Sequence, residues 1–542
     1  MALRRVASFL VLALSFSERV AAQCVLQKLL ASDGQANDAF GVSVAVHDGR
    51  ALVGQTGITG PGGGSVYAFR RAPSGWVQGQ TLTGSDTAAE DWFGWSAAIS
   101  GATAVVGAIL HDHGGIGGTG AVYVLRFDEG SWHEVQELLG AETQAGDLFG
   151  TAVAIDGDVL AATVGGADPG GLACVYERRP QSWIRTAVLM PADLAAGDNF
   201  GQDVAVSGTR IVVGKSHDNG LRGAAYVFEK TPQGWVETAK LTASDGAPID
   251  HFGWSVDVDG DRVLVGALAA GTAGAAYLFE RTSGAWIERV KFVPPDSPAG
   301  GDFGREVCLE RDRALVSMPE TGSKLGPAGP GAIYVYRPEN GAWPFVARIS
   351  PTDGIDDDGF GRNLSADGET LFASATGDDD LGSFSGSVRV LQLPEFAQTY
   401  GHCAGAGACG NGDPVAGCAN STNRGARLGA CGSGSLARDD FSLIAEGMPP
   451  ARPVVFFRGG AAADAPLGDG RRHVAAGSLG LRRFAPTVAA PNGIASLGPG
   501  SLTGSDIAPG QTWFFQAWYA DPAGPCGAGF NASNAVRAVF GP

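Results

Sequence analysis

The sequence predicts an all-β protein whose larger part is a seven-bladed propeller. Three observations carry that expectation. A Phe-Gly pair recurs at Phe40, Phe93, Phe149, Phe200, Phe252, Phe303 and Phe360, at intervals of 53, 56, 51, 52, 51 and 57 residues. Such a period fits propeller blades better than helical repeats. Each interval holds four short apolar runs separated by turn residues, a strand-and-turn pattern. Glycine is abundant, 84 of 542 residues, yet without a three-residue period, which excludes a collagen helix and leaves Gly-rich turns.

The elements follow in chain order. Residues 1–22 carry Arg4 and Arg5, an apolar run from Val6 to Phe16 and the small-residue stretch "VAA". That is the pattern of a secretory signal peptide cut after Ala22, and the run is too short to span a bilayer. Gln23 before Cys24 fits a lipoprotein signal poorly. In each repeat the first strand follows Phe-Gly, as in "FGVSVAV", and a tight turn such as "HDG" or "VDGD" leads to a second strand such as "VLVG". Asp-Gly between apolar runs is a strong hairpin signal. A third strand such as "GAAYVF" comes next. The fourth opens on a tryptophan: Trp76, Trp132, Trp183, Trp235, Trp286 or Trp343. The seventh unit lacks this last strand. Its missing piece is "CVLQKLLASDG" at residues 24–34, so the mature N-terminus is expected to pair into the last blade and close a propeller over 23–394. A linker at 395–401 and a Cys-containing β-sandwich at 402–542 are expected to follow.

The seven units resemble FG-GAP repeats, the unit of the integrin α-chain β-propeller, over roughly residues 24–394. The resemblance implies the propeller fold and, in the integrin type, calcium between the first two strands. Here that connection spans two to four residues, too short for the six to eight oxygens calcium takes. The fifth unit, with Asp257, Asp259 and Asp261, is the richest copy. Together with Asp245 and Asp250 these residues form the candidate calcium set, and calcium is the cofactor they suggest. The C-terminal residues "CGN", "GCANS", "WYADP" and "FNASN" are similar to a cysteine-bearing domain on many large secreted bacterial proteins. Cys24, Cys403, Cys409, Cys418, Cys431 and Cys526 are the disulfide candidates, with pairing open. Cys174 and Cys308 stand at core positions of strands.

Acids recur before each Phe-Gly. One stands seven residues before every Phe (Asp33, Asp86, Glu142, Asp193, Asp245, Asp296, Asp353). A second stands two before it in six units, as in Asp91, Asp198 and Asp250. A sevenfold pair reads first as scaffold, with Asp capping its own turn amides. The loops between second and third strands vary most, and variable loops on a rigid scaffold are where binding resides. They supply the candidate binding residues His111, Asp112, His113, Lys215, His217, Asp378, Asp379 and Asp380. Of these, His111-Asp112-His113 has the composition of a zinc or copper site. No Ser-His-acid or Cys-His spacing stands out. A net charge of −18 argues against a nucleic-acid partner. The expectation is a secreted or cell-surface monomer that binds an extracellular protein or polysaccharide. An extracellular propeller enzyme, hydrolytic or redox, and a purely structural surface protein are the alternatives.

Overall fold

The computed structural model describes residues 25–540 apart from 58–62, 73–74, 141–143, 168–169, 296–299, 320–330, 340, 352–357, 394–396, 401–418, 423–424, 432–440, 468, 491–492, 499–506 and 526. The expected leader 1–22 lies outside the described residues, as do Cys24, Cys403, Cys409, Cys418 and Cys526.

Seven four-stranded antiparallel sheets follow one another along the chain, as a β-propeller requires. In the fifth, the strands are Phe252–Asp259, Arg262–Ala267, Ala275–Thr282 and Ala285–Phe292, in that order. Burial explains their composition. The second strand is covered on both faces and is apolar almost throughout, while the outer strand alternates exposed and half-buried residues. The seventh sheet takes its outer strand from Val25–Leu29, which pairs with Ser387–Gln392, Lys28 facing Arg389. This is the closure the sequence predicts.

Each inner strand packs beside that of the next blade, and the last, Phe360–Asp367, lies beside the first, Val44–His47. The ring is joined by packing and by side chain-to-backbone bonds rather than by one continuous ladder. Ser43 and Ser96 donate to the carbonyls of Gly94 and Gly150 in the following blades. Asp203 accepts from the Val256 N–H, and Asp257 from the Leu309 N–H at 2.6 Å. Across the seventh-to-first junction, Asn363 donates to the Gly41 carbonyl, and Ser365 and Asp367 accept from Val46 and Asp48 N–H. The inner strands enclose a channel of about 600 Å³.

The blades approach closely at glycine. A Cβ on Gly214 would lie 2.1 Å from the Gly253 carbonyl oxygen of the next blade, and one on Gly253 would lie 2.1 Å from the Ala224 oxygen. Gly253 also has φ +86°, costly for any residue with a Cβ. Beside it Phe252 is fully buried and meets Tyr277 edge-on, ring centroids 5.5 Å apart; the same pairing recurs at Phe40–Tyr67, Phe93–Tyr123, Phe200–Tyr226 and Phe303–Tyr334. Such a pair adds about 0.5–1.5 kcal/mol beyond its buried area.

Residues 397–540 form three further sheets. Ala397–Tyr400, within the stretch expected as linker, is instead an edge strand paired with Gly529–Val539. Leu428 and Leu443 from the three-stranded sheet share one core with Phe456, Trp513, Phe515 and Val536 from the larger one. Cys431 ends the strand Arg427–Cys431. Cys174 and Cys308 are buried in blade cores, as expected.

Two outcomes are expected. Gly253→Ala should destabilise the propeller by roughly 2–4 kcal/mol in denaturant titrations. Gly260→Ala, at a hairpin position where a Cβ meets nothing within 4 Å, should cost about 1 kcal/mol; equal costs would contradict the close-approach account. The second concerns Asp257. Burial is the largest influence on it and outweighs the Leu309 and Val258 N–H donors, pushing its carboxyl up to about 7 from 3.8. The fold therefore favours the protonated form. Its stabilisation is complete below the ordinary value and is lost as pH rises to about 7. Asp257→Asn should remove that loss, leaving the variant near wild type at pH 4 and more stable at pH 8 by thermal melting; parallel pH curves would contradict it.

Candidate functional site

The topology places each blade-to-blade connection and each loop between second and third strands at one face. Hydrogen bonds tie the two together: Phe149 N–H donates to the Thr119 carbonyl and Phe252 N–H to that of Arg222. The opposite face carries the short hairpins.

The repeated acids serve this junction. The acid two residues before Phe accepts the N–H three residues earlier in its own turn: Asp38 from Gln35, Asp91 from Ala88, Asp147 from Gln144, Asp198 from Ala195 and Asp250 from Ala247, all at 2.6–2.7 Å. The acid seven before Phe accepts the hydroxyl of the third-strand tyrosine: Asp33 from Tyr67, Asp86 from Tyr123, Asp193 from Tyr226 and Asp245 from Tyr277. Burial first, then the adjacent carboxylate, pushes these phenols well above their usual range. The sequence shows the capping, because it is local. It does not show the tyrosine partner, some thirty residues downstream. A regular Tyr three residues after the glycine that precedes the third strand was the available signal.

Three junctions depart from the pattern, and they hold the candidate binding residues. In the fourth blade Lys215 is fully buried, with Nζ 2.7 Å from Asp198 and 2.9 Å from Asp218. Burial alone would lower its pKa; the two carboxylates outweigh that and hold it raised. Lys240 joins Asp193 and Asp218 at 2.7 and 2.9 Å. Lys215 is thus an internal counter-ion rather than a free ligand group. His217 lies half-buried against His251 of the next junction, rings 5.4 Å apart. In the seventh blade the buried Asp378 holds Lys28 at 2.7 Å and Arg389 at 3.4 Å; Asp380 holds Lys28 at 2.6 Å, and Asp379 accepts the Phe384 N–H.

In the second blade His111 is 4% exposed, with Nδ1 donating to Asp91 at 2.9 Å. Its Nε2 stands 3.7 Å from Glu137 and 3.9 Å from Asp86, beyond hydrogen-bond range. His113 is exposed nearby, and Asp112 accepts the Gly118 N–H as a turn residue. One ligand atom each from His111, His113 and Glu137 falls within 4.8 Å of the others, the only such grouping of three among the described residues. Glu137 comes from the outer strand Ser131–Leu138, 26 residues after His111, so sequence proximity gave no sign of it.

The five aspartates expected as a calcium set do not converge. Asp245 binds Tyr277 and Lys291, and Asp250 caps its turn, both at the junction face. Asp257 lines the channel and caps the next strand. Asp259 and Asp261 lie exposed at the hairpin, with Asp261 3.3 Å from Arg210. The eight-residue inner strand separates the two ends by about 25 Å.

The channel adds groups the sequence does not single out. Asp203, Asp257 and Glu306 line it with Arg305 and Arg362, and Trp95 and Trp254 stand among the lining residues. Burial pushes the Asp203 carboxyl up to about 6 and that of Glu306 well above its ordinary range. Asp203 and Asp257 are each spent on two backbone N–H groups, which gives them a structural task.

No curated protein matches the chain. Two of the solved structures that align with it show the level of similarity. One is a chain of the mitotic checkpoint complex, at 11% identity over 73% of this chain and 100% of that one, TM-score 0.44. The other is described as a candidate 6-phosphogluconolactonase from Bacteroides uniformis, at 14% identity over 62% and 90%, TM-score 0.40. The family model described as the FG-GAP repeat matches residues 25–69, 76–125, 132–173, 183–228, 235–279 and 343–391. Those six segments cover just over half of the residues and fall on the strands described above, so the chain belongs to the FG-GAP repeat family.

Proposed function

We propose that the protein is an exported binding protein that holds an extracellular protein or polysaccharide on the junction face of its propeller. The observation that carries this is the distribution of exposed apolar side chains. Ile116, Leu381 and Phe384 stand exposed in second-to-third-strand loops, Phe384 at 58%, and Ile249 in a blade junction at 59%. Half-buried Trp92 and Trp95 stack 5.4 Å apart at the same face. Exposed apolar side chains also stand along the outer strands, among them Val77, Val135, Ile184, Val236 and Ile287, but on the junction face Ile116, Leu381 and Phe384 sit in the variable loops, which suits a recognition surface. The opposite face has tight polar hairpins. The repeated carboxylates, the natural candidates for chemistry, are occupied by turn amides and tyrosines, which favours binding over catalysis. The leader-like residues 1–22 support export, and the likeness to the integrin α propeller supports an adhesive role.

The test is a screen of the full chain against extracellular proteins and polysaccharides, followed by substitution on each face. Ile249→Ser with Phe384→Ser should weaken any captured ligand about tenfold or more. Asp259→Ser with Asp261→Ser, on the hairpin face, should leave it unchanged. The reverse pattern would place recognition elsewhere.

A further inference from the structure

The position directly across from the third-strand tyrosine, or from its counterpart Cys174, holds an acid only in the second blade; in the first and third blades it holds Thr81 and Val188. Tyr226 faces Lys240, Tyr277 faces Lys291 and Tyr334 faces Arg348, while on the closing strand Lys28 faces Arg389. In three of these blades the lysine reaches the junction acids: Lys240 to Asp193 and Asp218, Lys291 to Asp245, and Lys28 to Asp378 and Asp380. Each such junction thus contains its own cation. In the second blade Tyr123 faces Glu137. An acid stands where those blades have a cation, and no lysine or arginine pairs with Asp86, Asp91 or Glu137 among the described residues. Three carboxylates and one buried imidazole share the pocket.

A second observation points to what fills it. His111 is more than nine-tenths buried, and its Nε2 has no hydrogen-bond partner; Glu137 Oε1, 3.7 Å away, is likewise buried and unpartnered. Leaving buried polar atoms unmatched is costly unless something binds them. With Nδ1 donating to the Asp91 carboxylate, Nε2 carries the lone pair and faces Glu137. A carboxylate behind the imidazole fixes tautomer and orientation in the way metal-bound histidines are held. Tetrahedral zinc, with bonds of about 2.0–2.2 Å, sets its ligand atoms roughly 3.3–3.6 Å apart; here His111 Nε2 stands 3.7 Å from Glu137, and the set with His113 falls within 4.8 Å.

We propose that the second-blade junction is a zinc-class divalent metal site, in which His111 Nε2, His113 and Glu137 are ligands, Asp86 is within reach as a fourth, and Asp91 orients His111. The ion supplies the positive charge that a lysine supplies at the fourth, fifth and seventh junctions. Two imidazoles with carboxylates favour zinc over calcium, which prefers oxygen alone. The site lies on the junction face, but it does not depend on the binding role.

The test is titration of the full chain with Zn²⁺ alone, followed by calorimetry and by competition with a chromophoric chelator, with Ca²⁺ in parallel. One equivalent of Zn²⁺ should bind at this site. Glu137→Lys, which installs the residue found in the fourth, fifth and seventh blades, should weaken that equivalent by more than about 100-fold, beyond the 10–100-fold cost of losing an outer partner. The variant's melting temperature without metal should stay equal or rise, which separates lost coordination from lost folding. His113→Ala, at an exposed residue, should also weaken binding, while His133→Ala, exposed on the outer strand, should not. Equal Zn²⁺ uptake by wild type and Glu137→Lys, or no stoichiometric uptake by wild type, overturns the proposal.

Discussion

The contact on which the molecule depends is the approach of backbone to backbone between neighbouring blades. The second strand of one blade lies against the Phe-Gly corner of the next so closely that Gly214 and Gly253 leave no room for a Cβ on either side. The corner fixes the rest. Gly253 turns the chain into the inner strand, Phe252 fills the space beside it, and the third-strand tyrosine closes over the phenylalanine. Because each blade meets its neighbour in this way, the sheets can fan around a channel without sharing a ladder. Polar side chains of the inner strands then bond to the next strand's backbone. Ser43, Ser96 and Asn363 donate to carbonyls of the next blade, while Asp156, Asp203, Asp257 and Asp367 accept from its N–H groups.

That constraint leaves the junction face free to vary. Loops between second and third strands enter that contact only through their last glycine, such as Gly223, where a Cβ would lie 1.9 Å from the Phe252 oxygen; the rest of each loop is free to differ in length and charge. One rule governs the fourth, fifth and seventh blades: junction carboxylates are matched by a lysine from the outer strand, whereas the first and third blades have Thr81 and Val188 at that position. The fourth blade exceeds the rule with the buried Lys215, and the seventh satisfies it through Lys28, which the closing strand brings from the far end of the sequence. The second blade alone places an acid there, Glu137. A repeat protein shows its particular chemistry where one copy departs from its sisters, since whatever all copies share is required by the scaffold.

Much of this was legible in the sequence, and the boundary is physical. Phe-Gly spacing, the four strand runs and closure by residues 25–29 follow from local composition and period. The capping by Asp38, Asp91 or Asp250 was also legible, because donor and acceptor lie three residues apart. What was not legible depends on register between strands. Tyr277 meets Asp245 and Glu137 meets His111 only once the antiparallel pairings are set. Asp257 looked like a hairpin ligand because it alternates with Asp259. In the folded ring it faces the channel and serves Leu309, more than fifty residues away. Ala397–Tyr400, short and flanked by Pro394, reads as a connection but gains strand partners from the end of the chain.

The central claim is that the repeated acids are scaffold and that chemistry resides where the second blade departs from them. Anomalous diffraction at the zinc edge, on crystals of the full chain grown with one equivalent of Zn²⁺, tests it most directly. The account predicts a single strong peak between His111, His113 and Glu137. Peaks instead at the repeated acids of other blades, such as Asp33 and Asp38 or Asp245 and Asp250, with none at Glu137, would contradict it.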